Sequence, residues 1–210
     1  EPVPAGEYTW RALTHTGLGL RLRGWACNSG QAPWDGPSGK DNWGGDHGQP
    51  VSAASDGKRV YLGWSGAEAG KALVACDGDG NVQWRCSRQG MSGAMLMAAD
   101  AGTVYSVNWD GVLFRVDSGT GGFTDWAGTG STDLAMNALV TAVPEAERGT
   151  LRANALTAAR GKLFVGYRAQ NLVLVLDATT GTLVKELTIA EPVDFEAGPD
   201  GTLFVISAGT

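Results

Sequence analysis

The sequence predicts an all-β chain, a β-propeller of four-stranded antiparallel blades with three full repeats and a partial fourth, incomplete or small. Three observations predict it. A Gly followed by one or two residues and an apolar-aromatic strand occurs as Gly57-Lys-Arg-Val-Tyr61, Gly102-Thr-Val-Tyr105, Gly161-Lys-Leu-Phe164 and Gly201-Thr-Leu-Phe204. After each of the first three comes an apolar strand that ends in Asp and enters a Gly-rich turn: Leu73 to Asp77, Leu113 to Asp117 and Leu174 to Asp177. A third strand follows each turn, over 82–86, 122–126 and 182–187. Self-similarity at about 40–45 residues with four short strands per period is the signature of propeller blades.

The elements follow in order. A further strand precedes each unit, at 51–55, 94–99, 155–159 and 193–198. Gly takes the positive-φ positions of the hairpins, and Asp accepts from neighbouring backbone amides. The near-continuous apolar run Leu172-Val-Leu-Val-Leu176 fits a strand covered on both faces. The interval between the second and third units is longer because of an insertion over 128–153. Within it, 135–143 predicts a short helix ended by Pro144, and 145–149 an exposed loop. The domain reading is an N-terminal hairpin and Trp/Gly-rich segment over 1–48, then blades over 49–210.

Composition narrows the function. The chain has 210 residues, 32 Gly, eight Trp and a net charge of −6. That charge disfavours nucleic acid and anionic membranes as partners. No apolar run is long enough to span a bilayer. The chain opens at Glu1 without a signal peptide, which predicts a processed form or a piece of a longer protein with flanking domains. The three cysteines, Cys27, Cys76 and Cys86, form no C-x-x-C pair, so a structural zinc site is not expected. A hairpin centred on Gly78-Asp79-Gly80 sets Cys76 opposite Val82 and Cys86 opposite about Ala72, out of disulfide register. Cys27 could pair with either, or all three could be free thiols.

The Asp-turn-strand segments carry a family resemblance. Val116-Asp117-Ser-Gly-Thr120-Gly121 with Trp126, and Leu176-Asp177-Ala-Thr-Thr180-Gly181, resemble the Ala-x-Asp-x-x-Thr-Gly-x-x-x-Trp repeat of quinoprotein-like, PQQ-type propellers. Ala75-Cys76-Asp77 with Trp84 is similar but shorter. The resemblance implies that Trp84 and Trp126 dock on the neighbouring blade's Gly peptide. The third unit has Glu186-Leu187 where its Trp would fall. Pro4-Ala-Gly-Glu-Tyr8 resembles the closing strand of FlgD-like immunoglobulin modules, which implies a multidomain secreted bacterial protein, placed outside the cell, in the periplasm or on the cell surface. Strands at 8–13 and 18–26 could instead complete the last blade.

Candidate chemistry lies mostly outside the repeats. Trp25, Trp34 and Trp43 share a Gly/Pro/Asn-rich segment with Asn28, Gln31 and Asn42; aromatic faces beside amides suit stacking on sugar rings, or anchor a long loop. Trp109 and Asp110 follow a strand and are expected on a rim, where they would join the ligand site; the plainer reading is a core or turn role. Asp46 and His47 in Trp43-Gly-Gly-Asp-His-Gly48 are the candidate catalytic pair, as general base or metal ligands with Asp35 and Asp41; the plainer reading is a tight loop held by backbone hydrogen bonds. Asp77-Gly-Asp-Gly-Asn81 has the look of a calcium loop but lacks the downstream acid, so a hairpin turn is expected. No nucleophile elbow, P-loop or dinucleotide motif is present.

The favoured function is a secreted binding or scaffolding module with polysaccharide as the ligand class. Two alternatives stand beside it. One is a fragment of a propeller enzyme, either a quinoprotein-like dehydrogenase or a polysaccharide lyase or hydrolase using Asp46 and His47. Quinone and calcium arise as cofactors only under that alternative. The other is a structural module of a cell-surface assembly.

Overall fold

A computed structural model describes residues 50–64, 72–78, 81–86, 93–197 and 202–208. They form β-strands in antiparallel sheets with a few helical turns. The chain divides into two compact units, residues 1–94 and 95–210.

In the first unit, β1 (Pro50–Ser55), β2 (Val60–Trp64), β3 (Leu73–Cys76) and β4 (Val82–Cys86) form one sheet in sequence order. Its β1–β2 turn is built by Asp56. One carboxylate oxygen accepts from Lys58 N and Arg59 N, both at 2.8 Å, and the other from the Tyr61 hydroxyl at 2.7 Å. Asp77 closes the β3–β4 hairpin: its backbone N donates to Asn81 O at 3.0 Å, and its carboxylate accepts from Asn81 N at 2.9 Å. Cys76 lies opposite Val82 as expected, but Cys86 lies opposite Leu73 rather than Ala72. A bulge between Ala75 and Cys76 shifts the register by one. Cys76 and Cys86 are free thiols, and burial pushes both up to about 12. They stay protonated at neutral pH, which makes them poor nucleophiles. Cys27 lies outside the described residues.

The second unit holds two four-stranded sheets and a two-stranded one. The first contains β5 (Leu96–Asp100), β6 (Thr103–Val107), β7 (Val112–Asp117) and β8 (Asp133–Ala135). The next contains β9 (Ala155–Ala159), β10 (Lys162–Tyr167), β11 (Leu172–Asp177) and β12 (Leu183–Thr188). β13 (Pro192–Ala197) pairs with β14 (Leu203–Ser207). The leading strands β5, β9 and β13 lie side by side, with β9 in the middle. The expectation of an outer strand over 122–126 needs correction. Only Phe123 bridges to Val116, and the chain then turns so that Trp126 N donates to Ser131 O at 2.8 Å. β8, from inside the insertion, pairs with Val112–Phe114 of β7, while residues 122–124 hold the Arg115–Asp117 half through Asp117 N to Gly122 O at 2.8 Å and Thr124 N to Arg115 O at 3.0 Å.

The apolar run of β11 is explained by two cores. Leu172, Leu174 and Leu176 join Leu163, Val165 and Tyr167 of β10 against Tyr105, Leu113 and Trp126 of the preceding sheet. Val173 faces the other way and packs with Ala155, Phe195, Leu203 and Val205. Alternate side chains thus go to opposite faces, and both faces are covered.

The Asp turns repeat in atomic detail. Asp117 Oδ1 accepts from Gly119 N at 3.0 Å and Thr120 N at 2.8 Å; Asp177 Oδ1 accepts from Thr179 N and Thr180 N, both at 3.0 Å. The Thr180 and Thr179 amides, together with Lys162 at 3.2 Å, hold the Asp177 carboxyl down at about 2. The folded chain therefore favours ionised Asp177. Its contribution is complete above the ordinary carboxylate value of about 4 and fades as pH falls toward 2. Asp177→Asn is expected to lower the thermal midpoint at pH 6 and to differ less from the parent at pH 2.5. Equal differences at both values would remove this role.

The insertion is more ordered in places, and less helical in others, than expected. Instead of a helix over 135–143 there is a 3-10 turn at Met136–Leu139, and Val140 is already extended with φ −72° and ψ 112°. The buried Asn137 side chain is committed to Leu151 O and the Tyr167 hydroxyl, which fix this stretch against its neighbours. The expected loop over 145–149 contains a one-turn helix, α1 (Glu145–Arg148), entered from Pro144, with Glu145 and Glu147 in its first turn.

Candidate functional site

Of the candidate ligand or catalytic residues, Trp25, Trp34, Trp43, Asp46 and His47 lie outside the described residues. Trp109 and Asp110 lie inside them, on the turn joining β6 to β7. This turn is at the opposite end of the strands from the Asp117 and Asp177 turns, because neighbouring strands run antiparallel.

Asn108 builds the turn. It is buried, and its Oδ1 accepts from Asp110 N at 3.0 Å and Val112 N at 2.9 Å. Its backbone N donates to Val112 O at 3.0 Å, and Gly111 N donates back to Asn108 O at 3.2 Å. Gly111 sits at φ +76°, a conformation that costs a side chain. This hydrogen bonding sends Trp109 and Asp110 outward. Trp109 is 51% exposed, although a ring of this size is ordinarily mostly buried.

The insertion flanks this tip from below. Asn137 Nδ2 donates to Leu151 O at 3.1 Å, and its Oδ1 accepts from the Tyr167 hydroxyl at 2.8 Å. Burial pushes the Tyr167 phenol up, so it stays a donor. Arg148 donates to Val143 O at 3.1 Å and Ala138 O at 3.2 Å, tying α1 to the 3-10 turn. Glu186, at the place where the repeat would carry Trp, accepts from the Thr141 hydroxyl at 2.8 Å. Farther along, Arg168 N donates to Asn154 Oδ1 at 2.6 Å, and its guanidinium meets Glu191 at 3.2 Å. These basic side chains are engaged by the protein itself. Sequence reasoning missed Asn137 and Glu186; the departure from Trp at 186 was visible, but not its partner 45 residues away.

Trp84 and Trp126 have a different setting. Trp84 is buried and tilts against Tyr61 with ring centroids 5.8 Å apart and planes at 32°. Trp126 is fully buried and repeats the geometry with Tyr105, at 6.4 Å and 34°. The Arg115 guanidinium lies 5.3 Å from the Trp126 ring centre. A Cβ on Gly181 would stand 3.0 Å from Trp126 Cε3 and 2.8 Å from Leu134 Cδ2. The surrounding turn is gripped by three bonds: Tyr105 hydroxyl to Ala178 O at 3.2 Å, Arg115 to Thr179 O at 2.9 Å, and Ala127 N to Thr179 O at 3.0 Å.

Among the described residues, no three His, Cys, Asp or Glu side chains group closely enough to hold a metal ion. No helix among them is long and apolar enough to cross a membrane.

No protein-family model matches the chain, and no curated protein does. Solved structures do. The β-propeller domain of Cps50 (Swd1) from Myceliophteria thermophila aligns with a TM-score of 0.56 and 13% identity, over 76% of this chain and 49% of that one. BamB from Moraxella catarrhalis aligns with a TM-score of 0.48 and 18% identity, over 70% of this chain and 38% of that one. The computationally designed Ika4 protein aligns with 0.48 and 18%, over 77% of this chain and 92% of that one. At such identities the Cps50 likeness shows fold alone. The chain is a β-propeller module spanning about half the length of that domain.

Proposed function

We propose that this module binds a polysaccharide on the face that carries Trp109 and Asp110. The observation that carries the reading is the 51% exposed Trp109 on a turn fixed by a buried Asn. An indole about half exposed, on a turn whose backbone is fixed, offers the apolar side of a sugar ring something to stack on. The adjacent Asp110, whose Oδ2 accepts from Asn108 Nδ2 at 3.4 Å, brings a carboxylate with several acceptor positions to the same turn. Sugar-binding sites pair apolar contact with a few placed polar groups in this way. The Trp25, Trp34 and Trp43 segment, outside the described residues, is proposed from its sequence alone as a second source of sugar-stacking rings. A setting outside the cytoplasm and flanking domains in a longer chain belong to the same proposal.

A glycan array followed by calorimetry on the best ligand tests the proposal. Trp109→Ala is expected to weaken binding about tenfold or more, equivalent to about 1.4 kcal/mol. Absence of any glycan signal, or an unchanged affinity in the variant, overturns it. One observation favours a second reading as a module of a larger assembly: Phe204 and Ile206 of β14 are 59% and 60% exposed on one strand face. Exposed apolar strands of this kind invite pairing. A silent array with a self-associating chain would favour that reading.

A further inference from the structure

The tip that carries Trp109 and Asp110 is held from two sides. Asn108 holds it from within, by the two amide bonds to Asp110 and Val112. The second support comes from the insertion. A Cβ built on Gly111 would stand 2.6 Å from Asn137 Nδ2, 3.0 Å from Cγ and 3.1 Å from Oδ1. The flat carboxamide of Asn137 therefore lies directly against the α-carbon that follows Asp110.

That carboxamide has no freedom to turn. Leu151 O can only accept, so it fixes Nδ2 on its side at 3.1 Å. The Tyr167 hydroxyl donates to Oδ1 from the other side at 2.8 Å. Tyr167 is itself fully buried at the end of β10, in the core shared by two sheets. Asn137 is buried as well. A line of contact therefore runs from the core of the β9–β12 sheet, through the insertion, to the turn of the β5–β8 sheet.

We infer that Asn137 is the positioning residue of the Trp109–Asp110 tip, so that the insertion sets how that tip meets its ligand. Asn137 does not touch the ligand. It blocks the collapse of Gly111 inward and thereby holds the indole and the carboxylate in one arrangement. Pre-organisation of this kind raises affinity by removing the cost of ordering the tip on binding. The effect on ligand affinity rests on the polysaccharide reading above; the effect on the tip does not.

Hydrogen exchange of the full chain, read by amide, tests both parts. In Asn137→Ala the amides of Asp110, Gly111 and Val112 are expected to exchange at least about tenfold faster, the equivalent of about 1.4 kcal/mol. Amides of β9–β11 are expected to keep their rates. Tyr167→Phe, which removes one of the two bonds to Asn137, is expected to raise exchange at the same amides by a smaller factor. A uniform rise across residues 95–210, or unchanged tip amides, overturns the inference. Where Asn137→Ala does not fold, the Tyr167→Phe pattern decides by the same criterion. Faster tip exchange in a chain that binds no glycan upholds positioning and sinks the polysaccharide reading. Glycan binding by the parent with unchanged tip exchange in the variants does the reverse.

Discussion

Trp126→Ala is expected to cost about 3–5 kcal/mol. Trp126 is the largest fully buried side chain among the described residues of the second unit. Its ring closes the core between two sheets, with Tyr105 at 6.4 Å, the Arg115 guanidinium at 5.3 Å and the Gly181 backbone around it. Alanine leaves a void bounded by β-sheets, which cannot collapse as a loop would. It also removes the ring that faces a partly buried cation, and that costs packing and cation–π attraction together. The three hydrogen bonds to residues 178 and 179 then span a loosened seam. Trp126→Phe keeps a ring and should lose about half as much. Urea unfolding followed by circular dichroism measures this. A loss below about 1 kcal/mol for the alanine variant would show that the seam does not depend on the ring.

The parts of this fold that were legible in the sequence are those whose chemistry is local. The strand over 82–86 is visible because a Gly-rich turn precedes it and apolar residues alternate within it. The Asp turns are visible because Asp, Thr and Gly at fixed offsets satisfy their own backbone. The β6–β7 tip is visible for the same reason. Non-local choices were not legible. The segment after Gly121 has the composition of a strand, yet it pairs only along Arg115–Asp117, and the Val112–Phe114 half of β7 is completed by β8, a partner about twenty residues farther on that no local pattern marks. The bulge at Ala75 and Cys76 moves Cys86 by one position without any mark in the residues. Asn137 looks like an ordinary polar residue beside Met136 and Ala138. Its role depends on Tyr167, thirty positions away, and on a glycine across the seam. Of the β6–β7 turn, therefore, the Asn-Trp-Asp-Gly run at its tip could be read from sequence and the support behind it could not.

Gly181→Ala is expected to cost about 2–4 kcal/mol, from two sources that can be separated. The first is conformational: Gly181 sits at φ +72°, where a Cβ costs about 1–2 kcal/mol. The second is steric: the new methyl would stand 2.8 Å from Leu134 Cδ2 and 3.0 Å from Trp126 Cε3. Leu134 is a flexible end and can yield, but the indole is enclosed on every side. Gly161→Ala isolates the first source, since Gly161 has φ +71° and nothing within 4 Å of its added Cβ. It should lose only the conformational share. The second source is isolated by placing Gly181→Ala on the Trp126→Ala background, where the void accepts the methyl. The cost there should fall toward that of Gly161→Ala, giving a coupling of about 1–2 kcal/mol between residues 126 and 181. Denaturant unfolding of the two single variants, the double variant and the parent closes this cycle. Additive losses would mean that the indole and the Gly181 turn do not bear on each other. A coupling of the expected size would mean that the Asp177 turn keeps glycine at 181 because the indole of the preceding sheet leaves room for nothing larger.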